Sequence, residues 1–263
     1  MQADERPAPS LRAEGLTSGY GGVPVVRDVS ISVGPGEVVA IIGPNGAGKS
    51  TAIDLISGFR APDAGTVIFD GQEIQGRSAH HVAGVGMVRT FQTAREWKNL
   101  TVMDNMLAAA PQHGMDAMWR AFATRRKLAA FDAANRAEAR QLLDRFGLST
   151  LTDDLAGTLS GGQKRLLEFA RIVMSGARMV VLDEPLAGVN PVLHAAMLEA
   201  VNHLRERNIT CLLVEHNLQW VERACSDVFV MALGTTIGHG SMQHLRADRA
   251  VIDAYLGEVA QSA

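Results

Sequence analysis

The run Gly43-Pro44-Asn45-Gly46-Ala47-Gly48-Lys49-Ser50 constrains this chain more than any other feature. It satisfies G-x-x-x-x-G-K-[ST] in full, after the apolar run Val38-Val39-Ala40-Ile41-Ile42 and ahead of the apolar residues 51–56. That is the strand–loop–helix setting the pattern demands. Glycines at this spacing let consecutive backbone N–H groups turn inward onto phosphate oxygens, and the first turn of the following helix adds partial positive charge. Lys49 is placed to reach the β- and γ-phosphates, and Ser50 to ligate Mg²⁺. The prediction is a nucleoside triphosphate site on an α/β sheet.

A second apolar run, Met179-Val180-Val181-Leu182, ends in Asp183-Glu184. A soluble core does not accommodate both charges, and an exposed strand end is the structural alternative. At the carboxyl edge of a parallel sheet they face the crevice that the phosphate loop lines. There Asp183 holds Mg²⁺ through its water shell and Glu184 polarises the attacking water. Lys49 and the metal neutralise charge building on the β- and γ-oxygens.

The rest of the chain fits that sheet. Its 263 residues, 47% hydrophobic and 20% charged, allow one large domain or two small ones and exclude wholesale disorder. A net charge of -3 excludes a nucleic-acid binder held by a general basic field. No run approaches the ~18 apolar residues of a membrane span, and residues 1–6 lack a secretory pattern, so a soluble intracellular protein is expected. Cys211 and Cys225 make no disulfide framework and read as packing residues.

Residues 1–10 read as a loose leader. Strands are predicted over 23–33, 37–42 and 66–69, with Gly21-Gly22, Gly34-Pro35-Gly36 and Asp70-Gly71 as turns and 85–91 as a further candidate. Residues 93–176 have helical spacing and twelve Lys/Arg against nine Asp/Glu, hence +3, which leaves -6 for the remainder. A solvated helical face accounts for this; contact of Arg120, Arg125, Arg126 and Lys127 with an anionic membrane surface is a second reading. After residue 176 the alternation resumes: strand 178–182, helix 191–207, strand 209–214, a hairpin of 227–232 with 235–239 around Leu233-Gly234, then short helices. The expected fold is α/β, with a mostly parallel central sheet, an N-terminal antiparallel β region and an inserted helical subdomain. The core is 11–92 with 177–263, and the helical subdomain is 93–176.

Within the helical segment, Leu159-Ser160-Gly161-Gly162-Gln163 precedes an apolar-periodic stretch. Ser160 and Gln163 have capping-box spacing, which alone reads as an ordinary helix start. Two glycines in the first turn, however, cost about 1 kcal/mol each relative to Ala. They leave bare N–H groups at the positive helix end, able to receive a phosphate. Two anion sites on one chain are both used if two copies pair face to face.

Residues 43–51, 159–163 and Asp183-Glu184-Pro185, in this order, resemble the P-loop ATP-binding subunit of an ABC transporter. The resemblance runs from about residue 11 to 258. It implies that Gly43, Pro44, Asn45, Gly46, Ala47, Gly48, Lys49, Ser50 and Thr51 hold ATP, with Ser160, Gly161, Gly162 and Gln163 completing the site of a second subunit in a head-to-tail dimer. It implies that Tyr20 stacks on adenine and that Gln92 senses Mg²⁺ and the attacking water. His216, in Val214-Glu215-His216-Asn217, is by the same likeness the switch histidine on the γ-phosphate. Catalysis thus falls to Glu184, His216, Gln92 and Lys49, and metal binding to Ser50, Gln92 and Asp183. Singly, Tyr20 reads as a core aromatic and His216 as a strand-end histidine; their order around the two strong motifs favours the functional reading. Asn190 departs from the family pattern, standing where many relatives carry an aspartate that helps link the two sites. With Pro191 it makes a good helix N-cap.

Val88-Arg89-Thr90-Phe91-Gln92, Ala187-Gly188-Val189-Asn190-Pro191 and the tail 251–258 are similar to the ATP-binding subunits of branched-chain amino-acid importers. This implies an ATPase on the cytoplasmic face of the plasma (inner) membrane, peripheral, cofactors ATP and Mg²⁺, and no nucleic acid. The implied partners are transmembrane permease subunits, a second ATPase (paralogue or self) and, indirectly, a periplasmic or extracellular solute-binding protein. A related exporter of the lipid type and a non-transport ABC ATPase are the alternatives. Residues 94–100, with Trp97 and Leu100, are the expected permease contact, against ordinary packing.

Overall fold

The computed structural model describes residues 11–90, 96–111 and 125–254, with the side chains of 125–129 set aside. Among them ten strands form two sheets. The first is antiparallel, in the order β2-β1-β4-β5, from β1 (Leu11–Tyr20), β2 (Val23–Val33), β4 (Ala64–Phe69) and β5 (Gln72–Glu73). The second has the order β10-β9-β3-β8-β7-β6, from β3 (Val38–Ile42), β6 (Met87–Arg89), β7 (Met179–Asp183), β8 (Thr210–Val214), β9 (Asp227–Ala232) and β10 (Thr235–Gly240). It is parallel except for the β9–β10 hairpin. All five residues of β3, β7 and β8 are buried, which is why each reads as an unbroken apolar run.

The three two-residue hairpin loops follow one rule. Gly21-Gly22, Asp70-Gly71 and Leu233-Gly234 all have positive φ at both central positions, the geometry that matches strand twist. The inward face of the antiparallel sheet (Leu16, Ile31, Phe69), helix α1 (Lys49–Ile56; Ile53, Ile56) and one face of the parallel sheet (Val39, Ile41, Val181, Val214) share one core. Helix α2 (Ala79–Gly84) adds Val82 to it.

The chain divides into two compact units, one comprising the residues through 92 with Arg178–Ala187 and everything from Val201, the other 93–177 with Gly188–Ala200. In the second, α3 (Val102–Ala109), α4 (Arg125–Arg145) and α5 (Gly161–Met174) pack on one another. Val102 and Met106 of α3, Leu142 and Leu143 of α4, and Leu167 and Phe169 of α5 are buried. Residues 188–200, expected with the core, group here. One cause is local: Leu193 packs so closely on Gly162 that a Cβ there would meet its Cδ1 at 2.1 Å.

Several elements differ from expectation. β1 escapes the alternation pattern because Gly15, at φ 62, breaks its register between Ala13 and Leu16. The strand expected over 85–91 is described only at Met87–Arg89, behind the unforeseen α2, which Ser78 caps through the His81 N–H. The helix expected from Pro191 opens as a 3-10 turn, Pro191–Leu193, before α6 (His194–Glu206). α7 (Leu218–Ala224) and α8 (Met242–Leu245) follow. No described helix is long and apolar enough to cross a membrane.

Candidate nucleotide site

Register builds the site before any side chain does. Ile41 and Asp183 both pair with Val214, so the loop after β3, the carboxylates ending β7 and the residues following β8 leave the sheet at one edge. Two of the loop glycines are demanded by close approach. At Gly43 (φ 149) a Cβ would lie 2.0 Å from the Met231 carbonyl oxygen, and at Gly48 (φ 94) 2.8 Å from that of Val25. Gly48 is also the N-cap of α1 and makes no side-chain cap hydrogen bond, and the N-terminal end of a helix favours an anion. The far side of the loop is tied to the β9–β10 turn by Gly234 N–H donating to the Ala47 carbonyl at 3.1 Å.

Lys49 is only 6% exposed. Its ammonium donates to the Gly43 carbonyl at 2.7 Å and the Pro44 carbonyl at 2.9 Å, folding the charge across the loop. Ser50 is exposed beside it and Thr51 is buried.

Asp183 ends β7 almost fully buried, and Arg89 donates to its Oδ2 at 3.0 Å. Its backbone N–H donates to Thr90 Oγ1 at 3.3 Å. The other oxygen, Oδ1, is buried with no hydrogen-bond partner among the described residues. An uncompensated buried carboxylate oxygen is costly, and a hydrated cation brought in by phosphate would satisfy it. No group of three or more His, Cys, Asp or Glu able to hold a metal occurs among the described residues. That donor set suits Mg²⁺, which keeps its waters and takes one or two protein oxygens plus substrate phosphates; Asp183 and the exposed Ser50 hydroxyl are the fitting pair.

Glu184 lies just past β7 at φ 48, a sparsely populated conformation for a non-glycine residue and a frequent mark of functional sites. Its N–H donates to the Val214 carbonyl at 3.0 Å, and its Oε1 is 3.0 Å from His216 Nε2. The His216 side chain is 46% exposed, so the pair is open to a ligand and is no buried structural bridge.

Tyr20 ends β1 and is 56% exposed, not a core aromatic. The Arg60 guanidinium lies 3.9 Å from its ring centroid, held by a bond to Ser18 Oγ at 2.9 Å and another to the Gly19 carbonyl. One ring face is thereby fixed. Gln92 and residues 255–258 lie outside the described residues, as do the side chains of Arg120, Arg125, Arg126 and Lys127.

In the helical unit, Ser160 and Gln163 form the reciprocal capping box read from their spacing: Gln163 N–H donates to Ser160 Oγ at 3.4 Å, and Ser160 N–H to Gln163 Oε1 at 2.8 Å. A Cβ at Gly161 would make only an ordinary contact, 3.8 Å from the Gly188 carbonyl oxygen. Asn190 caps the Val192 N–H at 3.0 Å ahead of Pro191, as expected. Trp97 and Leu100 are exposed. The Trp97 loop is pinned by buried Asn105, which accepts from Trp97 N–H at 3.0 Å and donates to the Trp97 and Thr101 carbonyls. Arg171 sits 4.2 Å over the indole, and Lys164 pairs with Glu96 at 3.1 Å. Burial pushes the Glu168 carboxyl up against the opposing pull of Arg165, and lowers Arg171. Burial also raises Cys211 and takes Cys225 up to about 12, so both thiols stay protonated and inert at neutral pH.

Sequence reasoning does not reach Arg89, Asp54, Glu215 or Arg60. Arg89 bridges Asp54 on α1 (2.5 Å) to Asp183 on β7, linking phosphate loop and acidic strand. The available signal was Asp54 as a charge inside the apolar helix 51–56. Glu215 offered none beyond its place beside His216.

A phosphate cradle and a carboxylate pair delivered to one sheet edge by the parallel strands on either side of β8 define a P-loop nucleotide-binding protein. The ABC transporter family model matches residues 26–187, and the chain belongs to that family. It is 38% identical over 255 residues to the high-affinity branched-chain amino acid transport ATP-binding protein BraF of Pseudomonas aeruginosa, covering 95% of this chain and 98% of the relative. It is 36% identical over 247 residues to a probable branched-chain amino acid transport ATP-binding protein, LivG, of Archaeoglobus fulgidus, covering 94% and 95%. A crystal structure of an ATP-binding cassette of an ABC transporter in its ADP conformation superposes with a TM-score of 0.80 at 34% identity, covering 96% of this chain and all of the other.

Proposed function

We propose that this chain hydrolyses ATP to power uptake of branched-chain amino acids or related small amphipathic solutes through separate transmembrane permease subunits. The observation that carries the chemistry is the 3.0 Å contact between Glu184 and His216 at the sheet edge that bears the phosphate loop. The names of the relatives support the solute class.

In this reading the loop N–H groups of residues 43–51 hold the β- and γ-phosphates, and the Lys49 ammonium turns from the loop carbonyls to the phosphate oxygens. Tyr20 offers adenine the ring face that Arg60 does not cover. Glu184 takes a proton from water as the water oxygen bonds to the γ-phosphorus and the bridge to the β-phosphate breaks. His216 orients Glu184 and binds the γ-phosphate, with Gln92 at the water and the metal. Mg²⁺, held by Ser50, Asp183 and Gln92, supplies charge neutralisation at the phosphates. Ser160, Gly161, Gly162 and Gln163 of a second subunit, paralogue or self, cover the nucleotide in a head-to-tail dimer. Two ATPs close that dimer, hydrolysis reopens it, and the permease changes access at the cytoplasmic membrane face, supplied by a solute-binding protein on the other.

The test is phosphate release by the purified chain with Mg²⁺ and ATP, followed by leucine uptake into vesicles carrying the co-purified permease. Release that rises more than linearly with protein concentration is expected. A chain that binds ATP yet releases no phosphate, alone or with permease, would overturn the reading. Trp97→Ala tests coupling separately: an exposed aromatic anchor is the kind of residue whose truncation costs ~2 kcal/mol at an interface. Uptake and permease co-purification are expected to fall while hydrolysis by the isolated subunit is kept; unaltered uptake would remove Trp97 from the contact.

A further inference from the structure

The chemistry assigned above gives no task to the buried carboxylate beside His216. Glu215 follows the last residue of β8 and is 4% exposed, yet its carboxylate is bound by three backbone N–H groups. Oε1 accepts from Leu186 at 2.8 Å; Oε2 accepts from His216 at 2.9 Å and from Asn217 at 3.3 Å. These donors belong to two different loops, one leaving β7 and one leaving β8. The carboxylate is the pin between them.

The loop after β7 carries Glu184 and turns tightly, with Ala187 N–H donating to the Glu184 carbonyl at 3.0 Å. It is docked on the end of β8 at two points: Glu184 N–H on the Val214 carbonyl, and Leu186 N–H on Glu215. On the other side, Glu215 fixes the His216 and Asn217 N–H groups, and Asn217 in turn caps α7 through the Trp220 N–H at 3.0 Å. A closed circuit results. It runs from Glu184 along the chain to Leu186, across to Glu215, on to His216, and back to Glu184 through the side-chain contact. Glu184 needs such a circuit, because its left-handed φ of 48 persists only where surroundings over-determine it.

We propose that Glu215 is a positioning residue for hydrolysis, setting the distance between Glu184 and His216 by clamping their two loops together. The inference rests on the ATPase reading. Its physical content is that a carboxylate offers acceptors on both oxygens, and only an all-acceptor group serves donors arriving from both sides. Glutamine has the same shape but one acceptor oxygen; its NH₂ must face either Leu186 N–H or the His216 and Asn217 pair. One loop is then released. Misplacement of this order lowers kcat and leaves the phosphate cradle, built from residues 43–51, untouched.

The experiment compares Glu215→Gln with the unaltered full-length chain. Expected are a kcat lowered by about tenfold or more with KM for Mg-ATP and affinity for a fluorescent ATP analogue held within about twofold. Imidazole resonances of His216, followed by NMR, should shift as the contact with Glu184 loosens. In a His216→Ala background the same substitution should add little under single-turnover conditions, since the pair it positions is already gone. A folded Glu215→Gln protein with unaltered kcat and unshifted His216 resonances would overturn the proposal, as would losses that simply multiply in the double variant. If Glu215→Gln does not fold, Glu215→Asp takes its place with the same readouts: it keeps the charge and both acceptors but withdraws them from Leu186. A wild-type chain without turnover would sink the ATPase reading instead, and the His216 resonances would still decide the clamp.

Discussion

Glu184→Gln is expected to lower ATP turnover by roughly 10²- to 10⁴-fold, the span associated with loss of a general base, while retaining ATP affinity. The amide preserves the shape of the carboxylate and can still meet His216 Nε2, 3.0 Å away in the wild type. It also tolerates φ 48 no worse than glutamate, so the turn after β7 survives. What it loses is the ability to accept a proton from water. None of the residues that grip the phosphates is altered, because the loop after β3 and Glu184 after β7 lie on separate segments, brought to one edge by register through β8. With ATP bound and not consumed, two copies should remain paired, so size-exclusion chromatography with Mg-ATP is expected to show a dimer that the wild type holds only transiently. Phosphate release at the wild-type rate would show that the proton goes elsewhere.

How far the sequence discloses this molecule depends on how local each feature is. Phosphate-loop residues are legible because each answers to a constraint within a few positions: glycines for turn and close approach, lysine for charge, serine for a hydroxyl in the first turn of α1. The Ser160–Gln163 capping box and the Asn190-Pro191 helix start are local too, and the structure contains both as read. Asp183-Glu184 is legible as charge at the end of an apolar run. By contrast, Arg89 acts through partners 35 and 94 residues away, and Glu215 through one 29 residues away. No window of sequence holds both ends of those bonds. Tyr20 shows the same limit: its position marks a strand end, but the Arg60 that covers its ring is held by Ser18, 42 residues back along the chain. β1 was hidden by a bulge, and Gly188–Ala200 belongs with the helical unit through packing such as Leu193 on Gly162, which chain order does not encode.

Arg89 also explains why the acidic strand end and the phosphate loop form one device. Bound to Asp54 on α1 and Asp183 on β7, with both ion pairs largely buried, it fixes the helix that starts at Lys49 against the strand that ends at Asp183. Buried pairs of this kind are weak sources of net stability but strong setters of geometry when intact, since removing one partner strands a buried charge. By holding Oδ2, Arg89 leaves Oδ1 as the oxygen that remains for a hydrated cation.

Lys49→Ala acts at the other end of that device and has two separable effects. Without nucleotide, the buried ammonium braces the loop by donating to the Gly43 and Pro44 carbonyls. Its removal strips both acceptors of a charged donor and is expected to cost about 1–3 kcal/mol of stability, read by thermal or urea unfolding. With nucleotide, the lost contact is a hydrogen bond between two charged groups. These contribute roughly 1.5–3 kcal/mol, so ATP affinity should fall by about 10- to 150-fold in fluorescence titration. Lys49→Arg separates charge from shape. It keeps the positive charge, but a planar fork does not fit a pocket where one compact ammonium serves two carbonyls, so affinity should recover little. Arginine restoring binding fully would mean that net charge alone matters at this position. Alanine with unaltered affinity would mean that the ammonium never leaves the loop carbonyls for the phosphates.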